Sequence, residues 1–126
     1  ILHETDALDR VKVLGYTQPE DLPSLYSAAS VLLFPSRDEG FGLPVLEAGV
    51  SRLPVICADI AALRELAGDE ATYVDPDGDP AVVAAQVQGR LDADPGYRLA
   101  VRCRASFDWA AVFETRIRPL LEEAAG

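Results

Sequence analysis

The 126-residue sequence is poor in several residue types that common functional sites require. It contains one histidine, His3, one lysine, Lys12, and two widely separated cysteines, Cys57 and Cys103. These numbers exclude a histidine-based catalytic triad and a histidine-rich metal site, and the cysteine spacing fits neither zinc binding nor a redox pair. We expect both cysteines to be small buried residues in a reducing, cytoplasmic compartment.

Basic charge and long apolar runs are also scarce. Lysine and arginine number 11 against 21 acidic residues, which gives a formal net charge of −10. Such a balance argues against nonspecific nucleic-acid binding, which needs a basic surface. No run of about 18 apolar residues is present, so we predict no membrane-spanning helix. Because the sequence has no methionine and begins with isoleucine, we expect it to be part of a longer protein.

Short apolar runs alternate with helical patterns along the chain, which predicts an α/β fold. Strands are predicted at 11–15 (VKVLG), 30–36, 53–59 and the start of 71–79, and helices at 19–29, 43–50 and 61–68. Asp79 is predicted to cap a helix that begins at Pro80, and two more helices follow, from about 97 to 105 and from about 108. The pattern predicts a partial doubly wound (Rossmann-like) parallel sheet with flanking helices, forming a single partial domain over 1–126.

The stretch RDEGFGLPVLEAG, residues 37–49, carries the strongest functional signal. It follows the predicted strand VLLFPS directly, so it lies at the carboxyl end of the sheet, where ligands bind in such folds. Gly40 and Gly42 let the backbone come close to a ligand. Leu43 and Pro44 then begin a helix whose first amides can bind an anion such as phosphate.

Two glutamates, Glu39 and Glu47, flank this turn. A carboxylate can accept hydrogen bonds from both hydroxyls of a cis diol, so one acid could hold a ribose and the other a sugar. On spacing alone, simpler interpretations fit equally well. Glu47 could stabilise the helix through its dipole, and Glu39 could be a solvated loop charge.

At this point the sequence resembles a known family. FPSRDEGFGLPVLEA is similar to the signature of retaining glycosyltransferases with two Rossmann-like domains (the GT-B architecture), and more narrowly to the large family that includes sucrose synthases and bacterial mannosyltransferases. The flanking segments resemble the family in the same order, and the likeness covers nearly all of residues 10–118. These segments are DRVKVLGYTQPEDLPSLYSAASVLLFPS, LPVICADIAALRELAGDEATYVDPDGDP and FDWAAVFETR.

The resemblance implies a role for each residue of the motif. Glu39 would contact hydroxyls of the transferring sugar as the catalytic residue, and Glu47 would hold the donor ribose. Amides of the turn would face the sugar and diphosphate, and a glycine–tyrosine pair would pack against the nucleotide base. The residues of the turn are Gly40, Phe41, Gly42 and Leu43, and the pair at the nucleotide base is Gly15 and Tyr16. The family uses a nucleotide-sugar donor as its substrate and needs no metal or other cofactor.

The same resemblance identifies the chain as the second half of a C-terminal nucleotide-sugar-binding domain. The implied partner is an N-terminal acceptor domain, through which any association with a membrane surface would occur. The arginine and lysine that bind the diphosphate in the family have no match in residues 1–10, so we expect this chain alone to be inactive. Arg52 stands where the family usually has glycine, and Ala61 and Ala62 stand where it often has two glycines.

Two other functions also fit the sequence. One is a non-catalytic nucleotide-sugar-binding module that keeps the fold without the transfer reaction. The other is a nucleotide-sugar epimerase of the same architecture, against which the lone histidine near the terminus argues.

Two structural expectations follow from the ends of the sequence. The apolar edge of the predicted strand 11–15 would be open to water, and it would pair either with another copy of this chain, giving a dimer, or with the missing half of the domain. Near the other end, Pro119 falls inside a helical pattern, where it lacks a donor and crowds the preceding turn. We therefore predict a break in the helix between Thr115 and Leu120, with Leu120 and Leu121 exposed.

Overall fold

The computed structural model describes residues 10–107 and 109–124, which form an α/β fold around a parallel sheet. In the described chain the sheet has three strands in the order β1-β2-β3. The strands are β1 (Leu32–Phe34), β2 (Val55–Ala58) and β3 (Thr72–Val74). The first five helices are α1 (Leu22–Ala28), α2 (Leu43–Val50), α3 (Ala61–Ala67), α4 (Pro80–Ala93) and α5 (Pro95–Phe107), with a 3-10 turn at Gly68–Glu70. This alternation confirms the predicted Rossmann-like arrangement.

Strand β2 lies at the centre of the core. All four of its residues are buried, and Ile56, Cys57 and Ala58 are fully buried. The strand has a neighbour on each side, and Ala48 of α2 and Leu63 of α3 belong to the same buried cluster. A strand covered on both faces reads as a continuous apolar run, which explains why the stretch LPVICAD lacks the alternation of a half-exposed strand.

Helix α4 begins as the sequence predicts. Pro80 occupies its first position, and Oδ1 of Asp79 accepts a hydrogen bond of 2.8 Å from the amide of Ala81. Three residues at helical spacing share one face of α4 and are half-buried: Val83, Val87 and Leu91.

The strand predicted at residues 11–15 is not formed. These residues pair with no strand of the described chain, and Val11, Val13 and Leu14 are 43%, 81% and 50% exposed. A strand requires a ladder partner for its backbone groups, and none of the described residues supplies one here. The edges of the described sheet are instead β1 and β3, so the edge proposed for a dimer contact lacks its strand.

The C-terminal helix is irregular near Pro119, but not in the predicted form. Helix α6 (Trp109–Val112) passes into a π-helical segment (Phe113–Ile117) and then into helix α7 (Arg118–Ala124). The prediction of a break between Thr115 and Leu120 is therefore wrong, because a widened turn accommodates the proline ring while the chain stays helical. Leu120 and Leu121 are 64% and 56% exposed, as predicted. Asp108, where this helix is predicted to begin, lies outside the described residues.

The scarce residue types and the lack of long apolar runs also led to expectations about the cysteines, His3 and membrane-spanning helices. Cys57 is buried as predicted, but Cys103 is exposed. The inner face of α5 carries Tyr97 and Ala100, and the rest of the described chain leaves the surface at Cys103 uncovered. His3 lies outside the described residues. None of the described helices has the length and apolar character needed to cross a membrane.

Helix α2 ends in a turn that places Arg52 in the left-handed region, with φ of 57°. The amide of Arg52 donates to the carbonyl of Gly49 at 3.0 Å, and the amide of Leu53 donates to the carbonyl of Ala48 at 2.9 Å. This pair of bonds is the Schellman motif, whose left-handed position is usually glycine. The turn therefore forms in spite of the arginine, and it places Leu53 in the buried core.

Replacing Arg52 with glycine should stabilise the fold. A left-handed conformation costs a residue with a side chain about 1–2 kcal/mol, and glycine's larger unfolded-state entropy offsets part of this, so we expect a gain of roughly 0.5–1 kcal/mol. The control Arg52→Ala removes the charge but keeps the Cβ, and its stability should stay near that of the parent. Urea denaturation of the three proteins measures the difference. An equal gain in both variants would show that the charge, not the backbone, is responsible.

Candidate functional site

Gly42 makes the sharp turn from the loop after β1 into α2. It is buried and has φ of 75°. A Cβ at this position would lie 2.6 Å from Cδ2 of Leu63 and 3.3 Å from Cδ2 of Leu66, both on α3. Left-handed backbone and close contact both exclude a side chain. The start of α2 therefore packs against α3 through bare backbone.

The start of α2 offers fewer free amides than the sequence suggests. Pro44 has no N–H, and the amides of Val45 and Leu46 both donate to the carbonyl of Gly42, at 2.9 and 3.3 Å. Leu43 is 56% exposed, and as the first helical residue it has no acceptor within the helix for its amide. An anion at this end of α2 would thus be bound by Leu43 and the preceding turn rather than by a full helical turn of amides.

Glu47 and Tyr26 meet in a cleft between α1 and α2, which we name the α1–α2 cleft. Tyr26 Oη donates a hydrogen bond of 2.8 Å to Glu47 Oε2. The cleft encloses about 310 Å³, and its remaining lining is mostly apolar: Pro19, Leu22, Pro23, Leu46, Val50 and Ser51. Burial, the hydrogen bond to Glu47 and the charge of Glu47 raise the pKa of Tyr26 to about 12, so the phenol remains a hydrogen-bond donor at neutral pH.

The motif loop, residues 35–42, joins β1 to α2. A second cleft lies between this loop and α3, and we name it the α3 cleft. It encloses about 340 Å³ and is lined by Gly40, Phe41, Ala62, Glu65 and Leu66. Its mixed lining offers an aromatic ring that is 60% exposed on Phe41 and one carboxylate on Glu65. The two clefts lie on the two flanks of α2, one towards α1 and the other towards α3.

Two arginines near the carboxyl edge of the sheet are held by aspartates. Arg37, in the motif loop, donates from Nε to Asp77 Oδ1 at 2.8 Å, which ties the loop after β1 to the loop after β3. Arg64 of α3 pairs with Asp59, and its guanidinium lies 4.3 Å from the ring centroid of Tyr73. Both pairs are largely exposed and contribute little to stability. Each ion pair nevertheless occupies the guanidinium group of its arginine with an aspartate of this chain.

The structure places only part of the predicted site around α2. Glu47 lines the α1–α2 cleft, Gly40 and Phe41 line the α3 cleft, and Gly42 with Leu43 forms the turn between them. Glu39 is half-buried next to Gly40 and lines neither cleft itself.

The predicted base-contacting pair is the least integrated part of the site. Tyr16 is 83% exposed, Gly15 has φ of 67°, and neither residue lines one of the two clefts. No described group of three or more histidine, cysteine or acidic side chains is arranged to hold a metal ion.

Two residues of the clefts, Tyr26 and Glu65, were not assigned to the site from sequence. The helical spacing of Leu22 and Leu25 places Tyr26 on an apolar face. This predicts that its ring packs against the core, but it does not predict the hydrogen-bond partner of its hydroxyl. Its partner Glu47 is 21 residues away, and no local pattern connects the two. Glu65 lies in a short helix with no local signal of function, and only the fold shows that it lines a cleft with Gly40 and Phe41.

Comparison with known proteins identifies relatives for most of the chain. The sequence model of the family described as "Glycosyl transferases group 1" matches residues 2–92. The O-antigen chain mannosyltransferase B of Escherichia coli is 43% identical over 82 residues, which are 65% of this chain and 22% of that protein. A D-inositol 3-phosphate glycosyltransferase of Corynebacterium diphtheriae is 40% identical over 110 residues, 83% of this chain and 26% of that protein. The chain spans about a quarter of the length of these relatives.

The contact at Gly42 leads to a stability prediction. Gly42→Ala should lower the free energy of unfolding by roughly 2–4 kcal/mol, because the added Cβ meets Leu63 and the backbone becomes strained. Gly40→Ala is the matched control, since a Cβ there meets no atom within 4 Å and its φ is not positive. Chemical denaturation of both variants checks this. Equal stabilities for the two variants would contradict the close packing of α2 on α3.

Proposed function

This chain belongs to the glycosyl transferases of group 1, and we propose that it supplies the second half of the donor-binding domain in a retaining glycosyltransferase that uses a nucleotide sugar. One observation carries the proposal. The carboxylate of Glu47, in the second half of α2, lines the α1–α2 cleft; one of its oxygens accepts a hydrogen bond from Tyr26, and the other has no hydrogen-bond partner among the described residues. A carboxylate held in this way, one helical turn after the glycine turn at which α2 begins, suits a ribose joined to a diphosphate.

The nucleoside of the donor fits the α1–α2 cleft. Its volume of about 310 Å³ is at the lower end of the range typical of small-molecule sites, and its apolar lining suits a base. Glu47 would accept hydrogen bonds from the ribose hydroxyls. Gly15 and Tyr16 precede Pro19, which lines this cleft, and they would cover the outer side of the base.

The diphosphate and the sugar would follow the start of α2 towards the α3 cleft. The amides of Gly42 and Leu43 would face the diphosphate, and the sugar would lie against Gly40 and Phe41. Glu39 would accept hydrogen bonds from the sugar hydroxyls. Because charge develops on the sugar as its bond to the diphosphate breaks, a carboxylate placed there would stabilise the transition state more than the ground state.

The remaining parts of the proposal concern what this chain would work with. The residues that bind the acceptor and the basic residues for the diphosphate would come from other parts of the same protein, since the chain matches only about a quarter of each relative. A buried free thiol at Cys57 and the absence of a described disulfide fit a reducing, cytoplasmic location. Because one of these relatives is named a mannosyltransferase, mannosyl donors are the first to test.

Donor binding tests the roles of the two glutamates. In the natural protein that contains this chain, a thermal-shift screen with UDP-, GDP- and ADP-sugars, mannosyl donors first, identifies the nucleotide. Glu47→Ala should then weaken donor binding by about 1–3 kcal/mol, because ribose hydroxyls lose a charged acceptor. Glu39→Ala should lower kcat more than donor affinity, because it contacts the transferring sugar.

Glu20→Ala serves as the control for this pair. It removes the same charge from an exposed position outside both clefts and should leave donor kinetics unchanged. Donor kinetics equal to the parent in both Glu39→Ala and Glu47→Ala would refute the assigned site. Donor binding without any sugar transfer would favour the non-catalytic module.

The α3 cleft gives a separate test of where the sugar binds. Ala62 lines this cleft and Ala61, its neighbour in the same helical turn, is exposed outside it. Ala62→Leu should weaken binding of the nucleotide sugar roughly tenfold, about 1.4 kcal/mol, by filling the space for the sugar. Binding of the free nucleoside diphosphate should be unchanged, and Ala61→Leu should affect neither ligand. An equal loss for both ligands in Ala62→Leu would place the sugar elsewhere.

A further inference from the structure

We propose that Tyr26 is a positioning residue, whose hydroxyl orients the carboxylate of Glu47 towards the hydroxyls of the donor ribose. This inference rests on the function proposed above and extends it to a residue on a different helix. The hydrogen bond of 2.8 Å from Tyr26 Oη to Glu47 Oε2 joins α1 to α2 across the α1–α2 cleft.

The geometry leaves one oxygen of Glu47 for a ligand. Among the described residues, Tyr26 is the hydrogen-bond partner of Oε2, and Oε1 has none. A glutamate on a helix surface rotates freely about its terminal bonds, whereas a fixed second oxygen restricts the carboxylate to a narrow range of orientations. The two lone pairs of Oε1 can accept hydrogen bonds from both hydroxyls of a cis diol, provided that the carboxylate already faces them when the ligand arrives.

Tyr26 is itself held firmly enough for this role. Its ring is half-buried and packs against the buried cluster that includes Val45 and Ala48 of α2. The phenol keeps its proton over the whole neutral range, since its pKa is raised to about 12, so it can only donate to the carboxylate. A hydrogen bond to an ionised acceptor is stronger than one between neutral groups.

A purely structural role would give a different result in a binding experiment. If Tyr26 only packs α1 on α2, removing its hydroxyl would affect all ligands of the cleft equally. If it orients Glu47, the loss would appear only with ligands that have ribose hydroxyls. The substitution Tyr26→Phe separates the two roles because it keeps the ring and removes the donor.

The experiment uses the natural protein that contains this chain and the nucleoside diphosphate that binds it among UDP, GDP and ADP. Calorimetric Kd values are measured for that nucleotide and for its 2′,3′-dideoxy form, which lacks both hydroxyls that Glu47 would accept. With Tyr26→Phe, the Kd of the ribose form should rise roughly 5–10-fold, because Glu47 loses its fixed orientation but keeps its charge, and that of the dideoxy form should stay within about twofold. In turnover, the donor KM should rise while kcat is retained.

Ser27→Ala is the matched control on the same helix. The Ser27 hydroxyl donates to the carbonyl of Pro23 at 2.8 Å, whereas the Glu47 carboxylate accepts from Tyr26, so the variant should behave as the parent. The ratio of the two Kd values is taken within one preparation, which makes it independent of the fraction of folded protein.

The outcomes separate this inference from the function on which it rests. An equal loss for both nucleotides in Tyr26→Phe, or no loss for either, would overturn the positioning role. Glu47→Ala supplies the second comparison. If it leaves the preference for the ribose form intact, the proposed ribose site itself is wrong. If it removes that preference and Tyr26→Phe does not change it, only the role of Tyr26 fails.

Discussion

The close approach of Gly42 to Leu63 and Leu66 is the constraint on which the rest of the site depends. Since no side chain separates the two segments, the first turn of α2 lies directly against α3. Leu63 is fully buried against β2, so α2 is positioned relative to the central strand. The helical period then turns Glu47 towards α1, while the loop before Gly42 faces α3. One backbone contact thus sets the directions of both clefts.

Helix α2 is bounded by two left-handed residues that differ in how freely they could be replaced. At its start, Gly42 has both a positive φ and a crowded environment, so any other residue would strain the backbone and displace the side chain of Leu63. At its end, Arg52 has a positive φ within a complete Schellman hydrogen-bond pattern, and the strain is carried by the backbone alone. The end that bears the glycine turn is therefore the more tightly constrained one, while the opposite end tolerates a residue that costs stability.

Sequence reasoning succeeded where local chemistry determines the structure. The Asp79 cap, the glycine-rich turn and the continuous apolar run of β2 are all visible in neighbouring residues. It failed where the structure depends on a residue that is far away in the sequence. Residues 11–15 have strand-like composition, but a strand exists only with a ladder partner. Tyr26 and Glu47 lie on different helices and are 21 positions apart in the sequence, so no local sequence pattern predicts their contact. At Pro119 the local rule was right about disruption, but it could not choose between a helix end and a π-helical turn.

Under the proposed function, an anionic donor would bind a chain of net charge −10. The arginines near the carboxyl edge do not resolve this conflict, because Arg37 and Arg64 are already paired with aspartates. What the described residues offer is of another kind: oriented carboxylates for hydroxyl groups, an apolar cleft for a base, and the amide of Leu43 for a single phosphate oxygen. These interactions depend on geometry and are weakly screened by salt, whereas attraction to a diphosphate is long-range and falls with ionic strength. This half would therefore determine which donor is accepted, and the charge that holds the diphosphate would be supplied by the rest of the protein.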